Sequence, residues 1–221
     1  MDLLHLSPDI GCSYEALIRV NSQSGKSGIS SVVEQALGLQ LPRGLQSEIY
    51  QVIQKEAEIT GTEVSLRTVV RLFRQIYHLG RESEYAGSLV LRPYRVIRSE
   101  DGSQCSVDAE IEHDGASRIV HGSGSSPQAA LVSALAQHFH IPLALLNSSE
   151  HGLKAPRMYK GKLASYVQMS LPYSNGTTWG VGVSSEDETS RLRAVISAAN
   201  VVMDSMRIRS NGPMEYQRAS L

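Results

Sequence analysis

The 221 residues, 24.1 kDa, suffice for one large domain or two small ones. Hydrophobic residues at 41 % and charged residues at 19 % are ordinary globular usage, which argues against wholesale disorder. A formal net charge of -1, with acids and bases interspersed, leaves no electrostatic footprint for DNA, RNA or an anionic membrane surface.

The amino-terminal MDLLHLSPDIG has no basic region and no apolar run of secretory length. The longest apolar stretch, Ile141–Leu146, falls far short of the roughly 20 residues a bilayer span needs. Cys12 and Cys105 are too isolated for a disulfide framework and fit a reducing compartment, so a cytoplasmic location is expected.

Residues 1–80 read as a mostly helical subdomain after a short extended entry. Tyr14–Val20 has strand character, and the glycine- and serine-rich Asn21–Gly28 reads as a turn. Over Leu45–Ile59, the apolar Leu45, Ile49, Val52, Ile53 and Ala57 share one helical face. A second helix over Ser65–Leu79 has Ser65 as N-cap, buries Val69, Leu72, Phe73 and Ile76, and stops at Gly80. Polar Gly80–Gly87 reads as a linker.

From Ser88 the period becomes alternating: Val107, Ala109, Ile111 and His113 face one way, Asp108, Glu110 and Glu112 the other. Ala116–Gly122 forms another strand, and Ser126-Pro127 opens a helix that buries Val132, Leu135, Ala136 and Phe139. The pattern then repeats. Leu163–Tyr173 and Thr177–Val183 alternate, Ser185 and Glu188 stand three apart as a capping box, and a helix follows that buries Leu192, Val195, Ile196, Ala199 and Val202. The fold class is therefore α+β, with a duplicated module over 88–206 and a tail, 207–221, expected to be poorly ordered.

Two motifs stand out, GSGSSP at Gly122–Pro127 and WGVGVSS at Trp179–Ser185. Both place glycines just before a helix N-terminus, where free N–H groups and the helix dipole favour an anionic group. The alternative is that each glycine serves only the strand-to-helix geometry. Neither motif is a phosphate loop, and Ser24–Gly28 lacks the upstream glycine of a Walker sequence. The histidines, among them His113, His121, His138, His140 and His151, form no His-x-x-x-His or tetrahedral set with the cysteines, so no metal is expected. Glu150-His151 could supply an acid or base, or could be a hydrogen-bonded turn. No Gly-x-Ser-x-Gly elbow occurs, and no catalytic constellation emerges from the residues.

Several of these stretches together resemble one family. Ile18–Gly28, Leu41–Lys55, His121–Leu135, the Glu150-His151 pair and Thr178–Asn200 are similar to the carboxy-terminal part of 2-isopropylmalate synthase, from near the first residue to about residue 203. The resemblance implies a helical linker subdomain followed by a leucine-binding regulatory domain of duplicated βββα fold, paired as a homodimer. The family's catalytic TIM barrel, with its His-x-His metal ligands, lies upstream of this region. Its counterpart is missing here, so no condensation of acetyl-CoA with a keto acid is expected of this chain on its own.

The leucine pocket that the resemblance implies is altered. Ser125-Ser126-Pro127-Gln128 stands where the family has Asn-Gly-Pro-Leu, and Asn147-Ser148-Ser149-Glu150-His151-Gly152 where it has Asp-Tyr-Tyr-Glu-His-Ala. Each lost large side chain removes roughly 1.5–3 kcal/mol of burial if it packs on the ligand. A larger, more polar cavity is expected, lined by Ser125, Ser126, Ala129, Ser148, Ser149, Gly152, Trp179 and Val183, with Trp179 and Tyr173 as stacking surfaces.

Two functions compete. In the first, the pocket folds a bulky substrate for a cofactor-free cyclisation, isomerisation or Diels–Alder-type cycloaddition in specialised metabolism, by orientation and by polar groups drawn from Gln128, His121, Glu150 and His151. A chain that starts at its own methionine and keeps the scaffold while losing the leucine wall points that way. In the second, the chain is a leucine-sensing subunit or a decoy for a full-length partner synthase. Neither calls for a cofactor.

Overall fold

The computed structural model describes residues 26–80, 87–140, 143–153, 161–170 and 176–211, the last four as backbone only. The expected strand at Tyr14–Val20, the linker core 81–86 and Tyr173 lie outside the described residues. Its contacts divide the chain into two units, Met1–Gln75 with Leu153–Lys160, and Ile76–Gly152 with Gly161–Leu221.

The first unit carries three helices, α1 (Lys26–Leu37), α2 (Arg43–Thr60) and α3 (Leu66–Ile76). Lys26–Gly28, expected in a turn, form the first turn of α1. Ile29, Val32, Val33 and Leu37 make an i, i+3, i+4, i+8 stripe that is buried, and burying it outweighs the roughly 1 kcal/mol that Gly28 costs a helix. In α2, Leu45, Ile49 and Ile53 are buried, and Gly61 ends the helix with φ of 63° and its N–H on the Ala57 carbonyl. Ser65 caps α3, its hydroxyl accepting from the Thr68 N–H at 3.1 Å. That helix stops at Ile76 rather than at Gly80, because His78 takes the left-handed conformation, φ 52°, two residues earlier.

The second unit is a tandem βββα repeat. Strands β1 (Leu89–Arg98), β2 (Cys105–His113) and β3 (Ala116–Gly124) form one antiparallel sheet in that order, followed by α4 (Pro127–Phe139). Strands β4 (Leu145–Gly152), β5 (Leu163–Ser170) and β6 (Thr177–Ser184) form the other, followed by α5 (Asp187–Asn211). Both helices pack on the inner faces of their sheets and against each other, around one core of Val107, Ala109, Ile111, Leu131, Leu135, Val167, Met169, Leu192 and Val195. Alternation along β2 is as the sequence predicts. Along β5 and β6 it is not: Tyr166 and Val181, on the face away from α5, are as buried as Val167, so both faces are apolar. In α4 Val132 and Leu135 are buried as expected, together with Ala130, Leu131 and Ala134; Ala136 and Phe139 are only half-buried.

The Gly-x-Gly pairs serve helix packing. A Cβ on Gly122 would lie 2.6 Å from the Ala134 amide nitrogen, and one on Gly182 would lie 2.5 Å from that of Ala194. In each repeat the glycine meets residues eight and twelve positions further along, Ala130 and Ala134 in one, Ser190 and Ala194 in the other. The two halves are thus superimposable in register. The start of α5 departs from the expected capping box, since Glu188 is held by Arg98 at 2.6 Å instead of reaching back to Ser185. Where a tail was expected from 207, α5 continues to Asn211 and Arg207 reaches the Asp114 carboxylate at 3.4 Å; residues 212–221 lie outside the described residues.

Candidate functional site

Internal duplication offers a candidate site. In the first repeat, the inner face of β1 meets the start of α5 through two links. The Tyr94 and Thr189 hydroxyls are 2.6 Å apart, and Arg98 is ion-paired with Glu188. In the second repeat, α4 meets β4 in the same way. Register fixes the correspondence: Tyr94 pairs with Ala109 as Ser148 pairs with Val167, and Arg98 ends β1 opposite Cys105 as Gly152 ends β4 opposite Leu163. On α4 the positions matching Glu188 and Thr189 are Gln128 and Ala129. The four side chains that latch the first cleft are therefore replaced by Ser148, Gly152, Gln128 and Ala129.

No hydrogen bond joins these four among the described residues, and none of them is long and charged enough to close the gap. Gln128 is only 9 % exposed, yet its amide bonds to no protein group among the described residues. Ser126 caps α4, accepting from the Ala129 N–H at 3.2 Å, and Pro127 follows as the first helical residue. Ser125 is exposed beside it.

Strand alternation separates the remaining candidates. Ser148, Glu150 and Gly152 lie on the inner face of β4; Ser149 and His151 lie on the outer one. Glu150 and His151, read as a pair from sequence, therefore point to opposite sides. Glu150 is gripped by Arg191 through two hydrogen bonds of 2.7 Å. Those bonds hold its carboxyl below the usual range, against a lesser upward push from burial and with a smaller contribution from the arginine's charge. His151 stacks on Tyr166, ring centroids 5.6 Å apart. His121 lies on the outer face of β3, exposed and bonded to Asp108 at 2.7 Å, away from α4. Trp179 is buried and Val183 half-buried on the face of β6 turned away from α5. Ser125, Ser126, Gln128 and Ala129 stand at the start of α4, Ser148, Glu150 and Gly152 share the inner face of β4, and His121, Ser149, His151, Trp179 and Val183 lie on other faces. Arg191 was not singled out by the sequence, because nothing in a helical arginine reveals which strand it meets. Among the described residues no group of three His, Cys, Asp or Glu side chains could hold a metal ion, and no helix is long and apolar enough to cross a membrane.

Residues 47–203 match the model of the LeuA allosteric (dimerisation) domain. The chain belongs to that family. Residues 2–34 also match the post-catalytic domain-like region of alpha-isopropylmalate synthase. Among curated relatives of this LeuA-domain chain, the 2-isopropylmalate synthase of Thermobifida fusca is 38 % identical over 201 residues, 90 % of this chain and 33 % of the relative. That of Mycobacterium ulcerans is 38 % identical over 87 % of this chain and 33 % of its own length. That of Azotobacter vinelandii is 36 % identical over 87 % and 32 %. The LeuA-domain chain spans about a third of the length of the relatives it matches.

Proposed function

We propose that this chain is a small-molecule-binding regulatory module that works as a homodimer, with its ligand in the cleft between the start of α4 and β4. The observation that carries this reading is Gln128, nine-tenths buried with an unengaged amide, in a cleft whose counterpart is latched by Tyr94–Thr189 and Arg98–Glu188. Its amide end meets solvent, since Gln128 is not among the buried polar atoms that lack a partner, so a ligand could take a hydrogen bond from it without breaking one within the protein. Gln128 and Ser148 are polar where the resemblance implies leucine's apolar wall, which favours a ligand with a polar group at that end over an isobutyl side chain.

Calorimetric titration with leucine tests this. The parent chain should bind leucine no tighter than millimolar, and Gln128→Leu with Ser148→Tyr should tighten it at least tenfold, about 1.4 kcal/mol. Micromolar binding by the parent would instead restore a leucine sensor and direct the search to a partner synthase. A second reading keeps the cleft and adds a reaction, because the free Gln128 amide could polarise a carbonyl in a cofactor-free cyclase or isomerase. It draws no support from an acid–base pair, since Glu150 is held ionised by Arg191.

A further inference from the structure

The first-repeat cleft has its own chemistry. Between the β1 bulge and α5 lies an open cavity of about 510 Å³, lined by Leu91, Pro93, Tyr94, Arg92, Glu186, Thr189 and Arg193. That volume falls within the roughly 300–1,000 Å³ of small-molecule sites. The pairing of β1 with β2 shifts between Leu91 and Tyr94, so the strand bulges there. Pro93, with no N–H to give a ladder, sits within the bulge.

Its charges are sorted. Arg92 is neutralised by Glu112 on β2, at 2.8 Å. Arg193 donates one N–H to the Val183 carbonyl at 2.9 Å and has no carboxylate within ion-pair distance among the described residues. A guanidinium carries five donors, so most of Arg193 remains to be used. Among the described residues Glu186 likewise has no cation within ion-pair distance. One of its oxygens accepts from the Thr189 hydroxyl at 2.8 Å, and Thr189 is within 2.6 Å of the Tyr94 hydroxyl. Glu186 immediately precedes α5 and Arg193 lies within it, seven residues further on, about 10 Å along the helix axis. Glu186 and Arg193 line one cavity with Leu91, Pro93 and Tyr94, and neither is ion-paired among the described residues, so the cavity complements a short molecule charged oppositely at its two ends.

We infer that this cleft is a second small-molecule site, for a compact zwitterion with its carboxylate on Arg193, its ammonium on Glu186 and its apolar body over Pro93 and Tyr94. The inference does not depend on the cleft at Gln128. The test is an amide NMR titration of the full chain with 4-(aminomethyl)benzoate, and with benzoate and benzylamine as probes lacking one end. The expected result is shifts confined to Leu91–Tyr94 and Glu186–Arg193, with each truncated probe binding at least tenfold more weakly. Arg193→Gln should weaken the zwitterion tenfold and leave benzylamine unchanged, while Arg193→Lys keeps part of the effect and controls for folding. No shifts in these segments, equal binding by all three probes, or equal loss of all three in Arg193→Gln would overturn the inference. Shifts at Ser125–Ala129 would report the other cleft instead, and would count against this one.

Discussion

Asn200 joins α5 to β1 through its side chain alone. Its Nδ2 donates to the Leu89 carbonyl at 2.9 Å and its Oδ1 accepts from the Leu89 N–H at 2.8 Å, all at 1 % exposure. Asn200→Ala leaves both backbone groups of Leu89 buried and unpaired, so urea unfolding should register a loss of about 2–4 kcal/mol. Glu150 behaves differently, being partly exposed. Its folded pKa lies below its unfolded one, so the Arg191 pair stabilises fully above the unfolded value and loses its effect as pH falls through the folded value. Glu150→Gln should cost less than about 1 kcal/mol at pH 7, solvent screening taken into account. The gap in thermal midpoint between parent and variant should close below about pH 4. A gap that persists in acid would mean that Glu150 stabilises by packing and not by charge.

At the scale of elements, the two helices seat on their sheets because Gly122 and Gly182 admit the backbones of α4 and α5. Adding a methyl at either forces that helix outward. Gly122→Ala and Gly182→Ala should each destabilise by about 1–3 kcal/mol in denaturant unfolding, as overpacking does. Gly152 has nothing within 4 Å of its would-be Cβ, so Gly152→Ala should stay within about 0.5 kcal/mol of the parent. If all three cost the same, the glycines act through strand propensity and the packing account fails. These elements also show what sequence periodicity can carry. The alternation of Val107, Ala109 and Ile111, the Ser65 and Ser126 caps and the apolar stripe of α5 were all readable, because each is local in the chain. The double burial of β5 and β6 was not, since an alternating pattern cannot reveal that Tyr166 and Val181 are also covered.

For the whole molecule, the duplicated module was legible twice over, from its repeating pattern and from the resemblance to the synthase's regulatory region. The cleft was legible only in part. Gln128, Ala129, Ser148 and Gly152 came from comparing motifs, and they occupy corresponding places in the repeat. His121, His151 and Trp179 were drawn in because they neighbour those motifs in sequence, and strand alternation sends them to other faces. The charges of the first cleft went unread because Glu186 and Arg193 meet β1 only through the crossing of α5 over it.

Under the proposed function, a ligand sits between the start of α4 and β4. Amide NMR of the full chain, titrated with leucine to concentrations that fill even a millimolar site, tests it most directly. Weak binding is expected, with shifts concentrated at Ser125, Ser126, Gln128 and Ala129 and at Ser148–Gly152. Shifts gathered elsewhere, or none at any concentration, would contradict it.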